Sequence, residues 1–238
     1  MKMRQIGVIG AGKFGTLLME ILPTVFPYAN VESYTRASVS RIDQCNLVIP
    51  AVPTENFAEV IRGIAPLLAR DSIVMDVCSV KTYPVSVMKK ELPTHISIIA
   101  SHPMFGPGTV AKLKNNWNGL RIVMEAVRVE ESRYVKIRDA FRHAGFDIIE
   151  MNSANHDRYA AEFHFTAHLI ASLVKKTQLS RSPIDTRSVE SLFDFVEMVQ
   201  TDDIKLLKDM YIYNPFCKKQ LRKINAAYES ITSFLHQS

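Results

Sequence analysis

Three glycines follow the first apolar segment of the chain and limit its fold more than any other feature. Gly10, Gly12 and Gly15 fit the pattern G-x-G-x-x-G, between the apolar run Gln5–Ile9 and the helical run Lys13–Leu22. In a strand–turn–helix unit, the first glycine permits a tight turn, the second lets a pyrophosphate approach the backbone, and the third lets the helix pack on the strand. Since free N–H groups at the start of a helix attract phosphate, the segment predicts a dinucleotide-binding site.

Apolar strands and helical segments alternate up to about Asn152. The further strands are predicted over Asn30–Tyr34, Asn46–Ala51, Ser72–Val77, His95–Ala100, Arg121–Glu125 and Asp147–Glu150. The further helices are predicted over Asn56–Leu68 and Ser132–Ala144. Strands separated by helices of this length predict a doubly wound parallel sheet with helices on both faces. We therefore expect residues 1–152 to form an α/β domain of the Rossmann type.

Helical periodicity replaces this alternation in the rest of the chain. Helices are predicted over Asn155–Gln178, Ser188–Val199, Asp202–Tyr213 and Phe216–His236. We therefore expect residues 153–238 to form a smaller all-helical domain. Because a helical domain of this size buries little surface by itself, we also expect a second copy to complete its core, which predicts a homodimer.

The composition is that of an ordinary globular protein. The chain has 238 residues, of which 47% are hydrophobic and 22% charged, and no apolar run approaches the ~20 residues that span a bilayer. Its three cysteines share no C-x-x-C spacing, so neither a disulfide framework nor a cysteine zinc site is expected. A net charge of +5 does not select nucleic acid as a partner. We expect a cytoplasmic protein that binds neither nucleic acid nor membrane.

The end of the second strand bears on the choice of dinucleotide. An NAD site usually has an acid there, which binds the ribose hydroxyls. This chain has Thr35, Arg36 and Ser38 instead, and these side chains can bind a 2′-phosphate, so NADP is preferred over NAD. In the alternative interpretation, Arg36 stacks on the adenine. The other predicted cofactor contacts are Gly10, Gly12, Lys13, Phe14 and Gly15 in the glycine turn, and Val52 and Pro53 after the third strand.

Two polar segments follow neighbouring predicted strands. Asp76–Lys81 and Ser101–Pro107 both lie where a parallel strand ends, and open α/β sheets bind ligands at this edge. A histidine there can accept the proton of an alcohol that is being oxidised, because imidazole titrates near neutral pH. His102 is therefore the candidate general base. The alternative interpretation is a histidine that only caps its loop.

Together these segments resemble a known family. Ser-His-Pro-Met-Phe-Gly-Pro at 101–107, with Asp-Val-Cys-Ser-Val-Lys at 76–81 and the glycine pattern, resembles the prephenate/arogenate dehydrogenase family of tyrosine biosynthesis. Residues 156–168 and 211–214 are similar to segments of its plant-like arogenate members. The resemblance implies a Rossmann domain followed by a helical dimerisation domain.

The resemblance also implies a reaction, the oxidative decarboxylation of a cyclohexadienol. His102 would accept the proton of the 4-hydroxyl while a hydride passes from C4 to the nicotinamide. Ser79 would hold the same hydroxyl and orient His102, and Lys81 would help to place the cofactor or a substrate carboxylate. Loss of carbon dioxide then makes the ring aromatic.

A polar stripe is predicted on the long helix of the second domain. Asp157, Ala161, His164 and His168 are spaced by four, three and four residues, which places them on one face of an α-helix. Asp157, His164 and His168 suit the wall of a substrate pocket. An acid and two histidines could also hold a metal ion, but hydride transfer to NADP needs none, so no metal is expected.

Two positions depart from the family pattern and bear on the substrate. Gly108 stands where members often have a glutamate, and Glu197 stands near the position of an arginine that grips a carboxylate in many prephenate-using members. Loss of that cation favours arogenate, whose ammonium could pair with Asp157, over prephenate as the alternative substrate. Two other functions stay open, a different NADP-dependent reductase of the same design and an NADP-binding sensor that has lost catalysis.

Overall fold

The computed structural model describes residues 3–35, 37–114, 116–199 and 204–237. The chain divides into two compact units, Met1–His156 and Asp157–Ser238. The predicted boundary lay between residues 152 and 153.

The first unit contains a seven-stranded sheet in the order β2-β1-β3-β4-β5-β6-β7. Its strands are β1 Gln5–Ile9, β2 Asn30–Tyr34, β3 Leu47–Pro50, β4 Ile73–Met75, β5 Ser97–Pro103, β6 Arg121–Arg128 and β7 Asp147–Glu150. Its α-helices are α1 Lys13–Val25, α2 Thr54–Ile64, α3 Thr82–Glu91, α4 Pro107–Lys112 and α5 Glu131–His143. Short 3₁₀ segments cover Val39–Gln44 and Ala65–Leu67.

Alternation along the strands gives the sheet two buried faces. Ile73 and Met75 belong to the core on one face, and Val74 between them belongs to the core on the other. Successive side chains of a strand point to opposite faces, so both faces are apolar and both are covered by helices. Helices α1 and α5 contribute to the first core, and α2 and α3 to the second. The doubly wound Rossmann-type fold predicted from the sequence is confirmed.

The topology places a ligand crevice beside β1. Strands β2 and β3 lie on opposite sides of β1, and both run parallel to it. The chain therefore winds in opposite directions from β1, and a crevice opens at the carboxyl ends of β1 and β3. The glycine turn follows β1 at this point.

The sheet is mixed, whereas a parallel sheet was predicted. Strand β6 pairs antiparallel with β5, and β7 is parallel to β6. The described part of the connection from β5 to β6 contains one short helix, α4, whose six residues span about 9 Å. Just after β5, Met104 N donates to Arg121 O (2.9 Å). Strand β6 therefore starts beside the end of β5 and runs back along it.

The second unit is helical. Its helices are α6 Ser153–Tyr159, which begins in the first unit, α7 Thr166–Lys176, α8 Arg187–Val199, α9 Ile204–Tyr213 and α10 Cys217–Leu235, with a π-helical segment Ala160–Phe165 between α6 and α7. Its buried core consists of Ala161, Phe165, Met210 and Cys217. Of the helices in the described part of the chain, none is both long and apolar enough to cross a membrane.

Candidate active site

Two of the three glycines in the turn after β1 are required by packing. Gly10 has φ +115°, and a Cβ there would lie 2.4 Å from Ala51 O. A Cβ on Gly15 would lie 2.0 Å from Gly10 O. Both distances are shorter than any tolerable contact, so a side chain at either position would push α1 away from the sheet.

Gly12 is different, because no residue that the structure describes fills the space beside it. Its backbone is extended (φ −73°, ψ 176°), and a Cβ there would meet no atom within 4 Å. It caps α1, whose first turn has no acidic residue and no side-chain hydrogen bond to its cap. The open space and a helix start whose N–H groups have no side-chain cap fit the pyrophosphate of a dinucleotide.

Substitution by alanine is expected to separate these two kinds of glycine. Gly12→Ala should leave the melting temperature within about 2 °C of the wild type but weaken dinucleotide binding at least about tenfold, because the methyl group occupies the approach of the pyrophosphate. Gly15→Ala should lower the melting temperature or prevent folding. Thermal melts and a fluorescence titration with NADP and NAD measure both effects. Equal loss of stability in the two variants would contradict this distinction.

The remaining predicted cofactor residues lie at, or just before, the starts of α1 and α2, the helices that follow β1 and β3. Phe14 packs against the first core, with its ring 6.5 Å from that of Phe105, so its backbone is the part that can meet a phosphate. Val52 packs partly against the second core. Lys13 and Pro53 are exposed at the starts of α1 and α2.

The end of β2 brings two hydroxyl groups together. Ser38 Oγ accepts a hydrogen bond from Thr35 N (3.0 Å) and lies 3.5 Å from Thr35 Oγ1. Glu32, on the same strand, accepts hydrogen bonds from Tyr34 Oη and Asn30 Nδ2, both at 2.9 Å, and these bonds lower its pKa. The predicted contact of Arg36 lies outside the described residues.

A buried ion pair joins the ends of β4 and β5. The Lys81 ammonium is 2% exposed and contacts both the Asp76 carboxylate and the carbonyl oxygen of Ser101. The same carboxylate accepts from Cys78 N (3.0 Å) and Ser101 N (3.1 Å), and Ser101 Oγ donates to Asp76 O (2.5 Å). Complete burial raises the pKa of Asp76, while Lys81 and the two N–H groups act in the opposite direction. Lys81 thus holds the strand end that carries His102, and its predicted contact with cofactor or substrate stays a prediction.

His102 lies at the carboxyl end of β5 and contacts a second histidine. Its Nδ1 is 2.8 Å from Nε2 of His156, and the two rings meet at 70° with their centroids 5.0 Å apart. His102 is partly buried, and His156 is 3% exposed. Ser79, which was predicted to orient His102, is partly buried after the neighbouring strand β4, and its role stays a prediction.

A carboxylate on β6 holds the start of α6, the helix that carries His156. Glu125 accepts hydrogen bonds from Ser153 N (2.7 Å) and Ser153 Oγ. Glu125 is opposite Ala100 in the β5–β6 register, two residues from His102. A carboxylate at a helix start also interacts favourably with the helix dipole. The two histidines are therefore placed by the same pair of strands.

The predicted polar stripe of the second unit is interrupted. Segment Ala160–Phe165 is π-helical, and one extra residue in a turn rotates the next part of the helix by about 100°. The α-helical spacing that put Asp157 on the same face as His164 therefore does not apply. Asp157 is fully buried, and its carbonyl oxygen accepts from Asn214 Nδ2 (2.7 Å). His164 and His168 are partly buried on either side of the start of α7.

The structure also places the two departures from the family pattern. Gly108 lies in the first turn of α4. Glu197 is exposed on α8, with its carboxylate 3.5 Å from the Arg181 guanidinium. In the part of the chain that the structure describes, no three His, Cys, Asp or Glu side chains are grouped to hold a metal ion.

Comparisons with known proteins concern the chain as a whole. Residues 29–137 match the family described as "Prephenate dehydrogenase, nucleotide-binding domain", and residues 173–238 match a "TYRAAT1-like, C-terminal domain". The chain is 30% identical over 252 residues to "Arogenate dehydrogenase 1, chloroplastic" of Arabidopsis thaliana, a match that covers 97% of the chain and 39% of the relative. It is 34% identical over 169 residues to "Arogenate dehydrogenase 2, chloroplastic" of the same plant, covering 69% of the chain and 46% of the relative. The chain thus spans less than half the length of these curated relatives.

Solved structures show the same fold. Prephenate dehydrogenase from Aquifex aeolicus, crystallised with hydroxyphenyl propionate and NAD+, superposes with a TM-score of 0.77 at 16% identity, over 99% of this chain and 91% of that one. Arogenate dehydrogenase from Synechocystis superposes with a TM-score of 0.69 at 15% identity, over 97% and 91%.

Proposed function

Because the chain belongs to the prephenate/arogenate dehydrogenase family, we propose that it catalyses the NADP-dependent oxidative decarboxylation of arogenate to tyrosine. The observation that carries the proposal is the position of His102, at the carboxyl end of β5 and held at Nδ1 by another ring. Ligands of open α/β sheets bind at this edge. An imidazole in this place can act as a general base on an alcohol.

The proposed reaction assigns each group one task. Nε2 of His102 takes the proton of the 4-hydroxyl, because Nδ1 is engaged with His156. Gly10, Gly12 and Gly15 would hold the dinucleotide, which supplies the hydride acceptor when bound. Oxidation at C4 makes a ketone, which draws electrons from the carbon that bears the carboxylate. The bond to the carboxylate then breaks, carbon dioxide leaves and the ring becomes aromatic.

NADP is the proposed cofactor. The hydroxyls of Thr35 and Ser38 lie together at the end of β2, where a 2′-phosphate would be bound. The acid on this strand, Glu32, is already hydrogen-bonded to Tyr34 and Asn30. We expect kcat/KM to be higher with NADP than with NAD.

Arogenate is the proposed substrate, and prephenate is the alternative. The two plant relatives are named arogenate dehydrogenases, and the acid Glu197 stands near the position where prephenate-using members have an arginine. The full burial of Asp157 gives no support to its predicted contact with the ammonium of arogenate, which stays a prediction.

One set of assays tests the proposed function. Formation of NADPH or NADH is followed by absorbance, with arogenate and with prephenate, and the aromatic product is identified by mass spectrometry. NADPH and tyrosine from arogenate are the expected products. If neither substrate is oxidised although NADP binding is measured directly, the enzymatic proposal is wrong and the NADP-binding sensor takes its place.

The second unit is proposed to pair with a second copy of the chain. Tyr228, Ile231 and Leu235 follow each other at spacings of three and four on α10, and each is at least 60% exposed. Such a stripe is apolar surface that a helix normally buries. The main buried cluster of this unit, within the described residues, has four members, Ala161, Phe165, Met210 and Cys217, so a partner would supply further packing.

Light scattering during gel filtration tests the pairing. We expect the wild type to have twice the mass of the chain, and the double variant Ile231→Glu/Leu235→Glu to be monomeric or insoluble. Ser233→Glu places one such carboxylate on the opposite side of α10 and should stay dimeric. A monomeric wild type at micromolar concentration would contradict the proposal.

The cellular compartment is a separate part of the proposal. A cytoplasmic location was predicted, and the two plant relatives are named chloroplastic. Imaging of a fluorescent fusion of the full-length protein in its own host tests the prediction.

A further inference from the structure

The contact between His102 and His156 contains one proton whose position decides what His102 can do. The two nitrogens are 2.8 Å apart, so one of them donates and the other accepts. If His156 donated, a neutral His102 would carry its own proton on Nε2 and could not accept another there. If His102 donates from Nδ1, its lone pair is on Nε2. The base chemistry proposed for His102 requires the second arrangement.

Packing gives His156 little freedom to choose another partner. Its side chain is 3% exposed, and its backbone N–H donates to Asn152 O (3.0 Å) in the first turn of α6. The start of α6 is fixed by the Glu125 carboxylate from β6, the strand that pairs with β5. The helix start that carries this ring is thus tied to β6, the neighbour of the strand that carries His102.

We propose that His156 is a positioning residue, which accepts a hydrogen bond from Nδ1–H of His102 and thereby keeps the His102 lone pair on Nε2. When His102 takes up the substrate proton, the same hydrogen bond becomes charge-assisted and therefore stronger. An aspartate does this for the histidine of a serine protease triad; here the acceptor is a neutral ring that must carry its own proton on Nδ1. The inference rests on the proposed function, in which Nε2 of His102 is the proton acceptor.

Two variants of similar length separate the hydrogen bond from packing. His156→Gln keeps a strong acceptor about where Nε2 was, whereas His156→Met has the length but no strong acceptor. We expect His156→Met to lower kcat by about 10- to 100-fold, the loss typical when a residue that orients a metal-ligating histidine is removed. His156→Gln should retain kcat within about threefold, and KM for NADP should change little in either variant, because the glycine turn is untouched.

The tautomer of His102 is a readout that does not depend on turnover. Long-range ¹H–¹⁵N spectra of the cofactor-free protein resolve the protonation of ring nitrogens, and the chain has seven histidines. The His102 signals are assigned by their absence in His102→Asn. We expect the proton on Nδ1 in the wild type and in His156→Gln, and on Nε2 or exchanging between both nitrogens in His156→Met.

The outcomes distinguish the positioning role from the proposed function. A wild-type His102 with its proton on Nε2, or a His156→Met enzyme with normal kcat, overturns the role of His156. If the wild type oxidises neither substrate but the tautomer changes as expected, the proposed function fails and the positioning contact stands. If His156→Met does not fold, the wild-type and His156→Gln spectra still decide the direction of the hydrogen bond.

Discussion

Replacing His102 with asparagine is expected to lower kcat for arogenate oxidation by about 100- to 10,000-fold. Asparagine is short and polar, so it can still hydrogen-bond to the buried ring of His156, and the end of β5 should keep its packing. It cannot take up a proton at neutral pH, however. The alcohol would then have to lose its proton to water while the hydride departs. Initial rates at saturating substrate and cofactor measure the loss.

The control is the same substitution, histidine to asparagine, near the opposite end of β5. His95 is exposed, two residues before β5 begins, and His95→Asn should leave kcat unchanged. The dissociation constant of NADP, measured by fluorescence titration, should stay within about twofold of the wild type in both variants. Normal turnover in His102→Asn would mean that His102 is not the general base of the reaction.

The strands of the first unit could be predicted because strand propensity and the apolar pattern agree along each of them. Strands β1, β2 and β7 have the bounds that their apolar and β-branched residues indicate. Helix α3 was not predicted. Its segment contains Pro84, and a proline usually ends a helical pattern. Here it lies in the first turn of the helix, where its missing N–H would have no intrahelical partner.

Two other differences come from effects that a local pattern does not contain. The direction of β6 depends on a contact between the end of β5 and the start of β6, Met104 N to Arg121 O, which no local pattern specifies. The π-helical segment Ala160–Phe165 continues an apolar periodicity that fits an α-helix equally well. The sequence therefore predicted one regular helix and one polar face where the backbone changes its pitch.

The residues proposed for the candidate site could be selected from the sequence, but their contacts could not. His102 and the glycine turn were selected because strand ends and glycine spacing are local features. The partner of His102 is 54 residues away, and no pattern along the chain pairs the two. In the sequence, His156 belonged to the family-like segment 156–168, but no role was predicted for it. The burial of Lys81 likewise depends on Ser101, which is 20 residues further along.

Removing one partner of the buried ion pair is expected to be strongly destabilising. Lys81→Met should lower the free energy of unfolding by about 3–5 kcal/mol, because the Asp76 carboxylate is left buried without its cation. The double variant Asp76→Asn/Lys81→Met removes both charges and should recover at least half of this loss. Denaturant unfolding of the wild type, both single variants and the double variant gives the coupling energy. Additive effects would mean that the two side chains do not act as a pair.

The pH dependence of Lys81→Met gives an independent test with a defined sign. Burial already raises the pKa of Asp76 in the wild type, and Lys81 opposes that rise, so loss of the ammonium should raise the pKa further. An acid whose pKa is raised by folding binds more protons in the folded state, so stability is present below its unfolded pKa and is lost as pH rises. The unfolding free energy of Lys81→Met relative to wild type should therefore fall as the pH rises from the pKa of Asp76 in the wild type to its higher pKa in the variant, by up to about 1.4 kcal/mol per pH unit. If the variant instead has unchanged stability at every pH and a raised KM for NADP or arogenate, the ligand contact predicted from the sequence is favoured. A side chain that binds a ligand affects KM, whereas one that joins β4 to β5 affects stability.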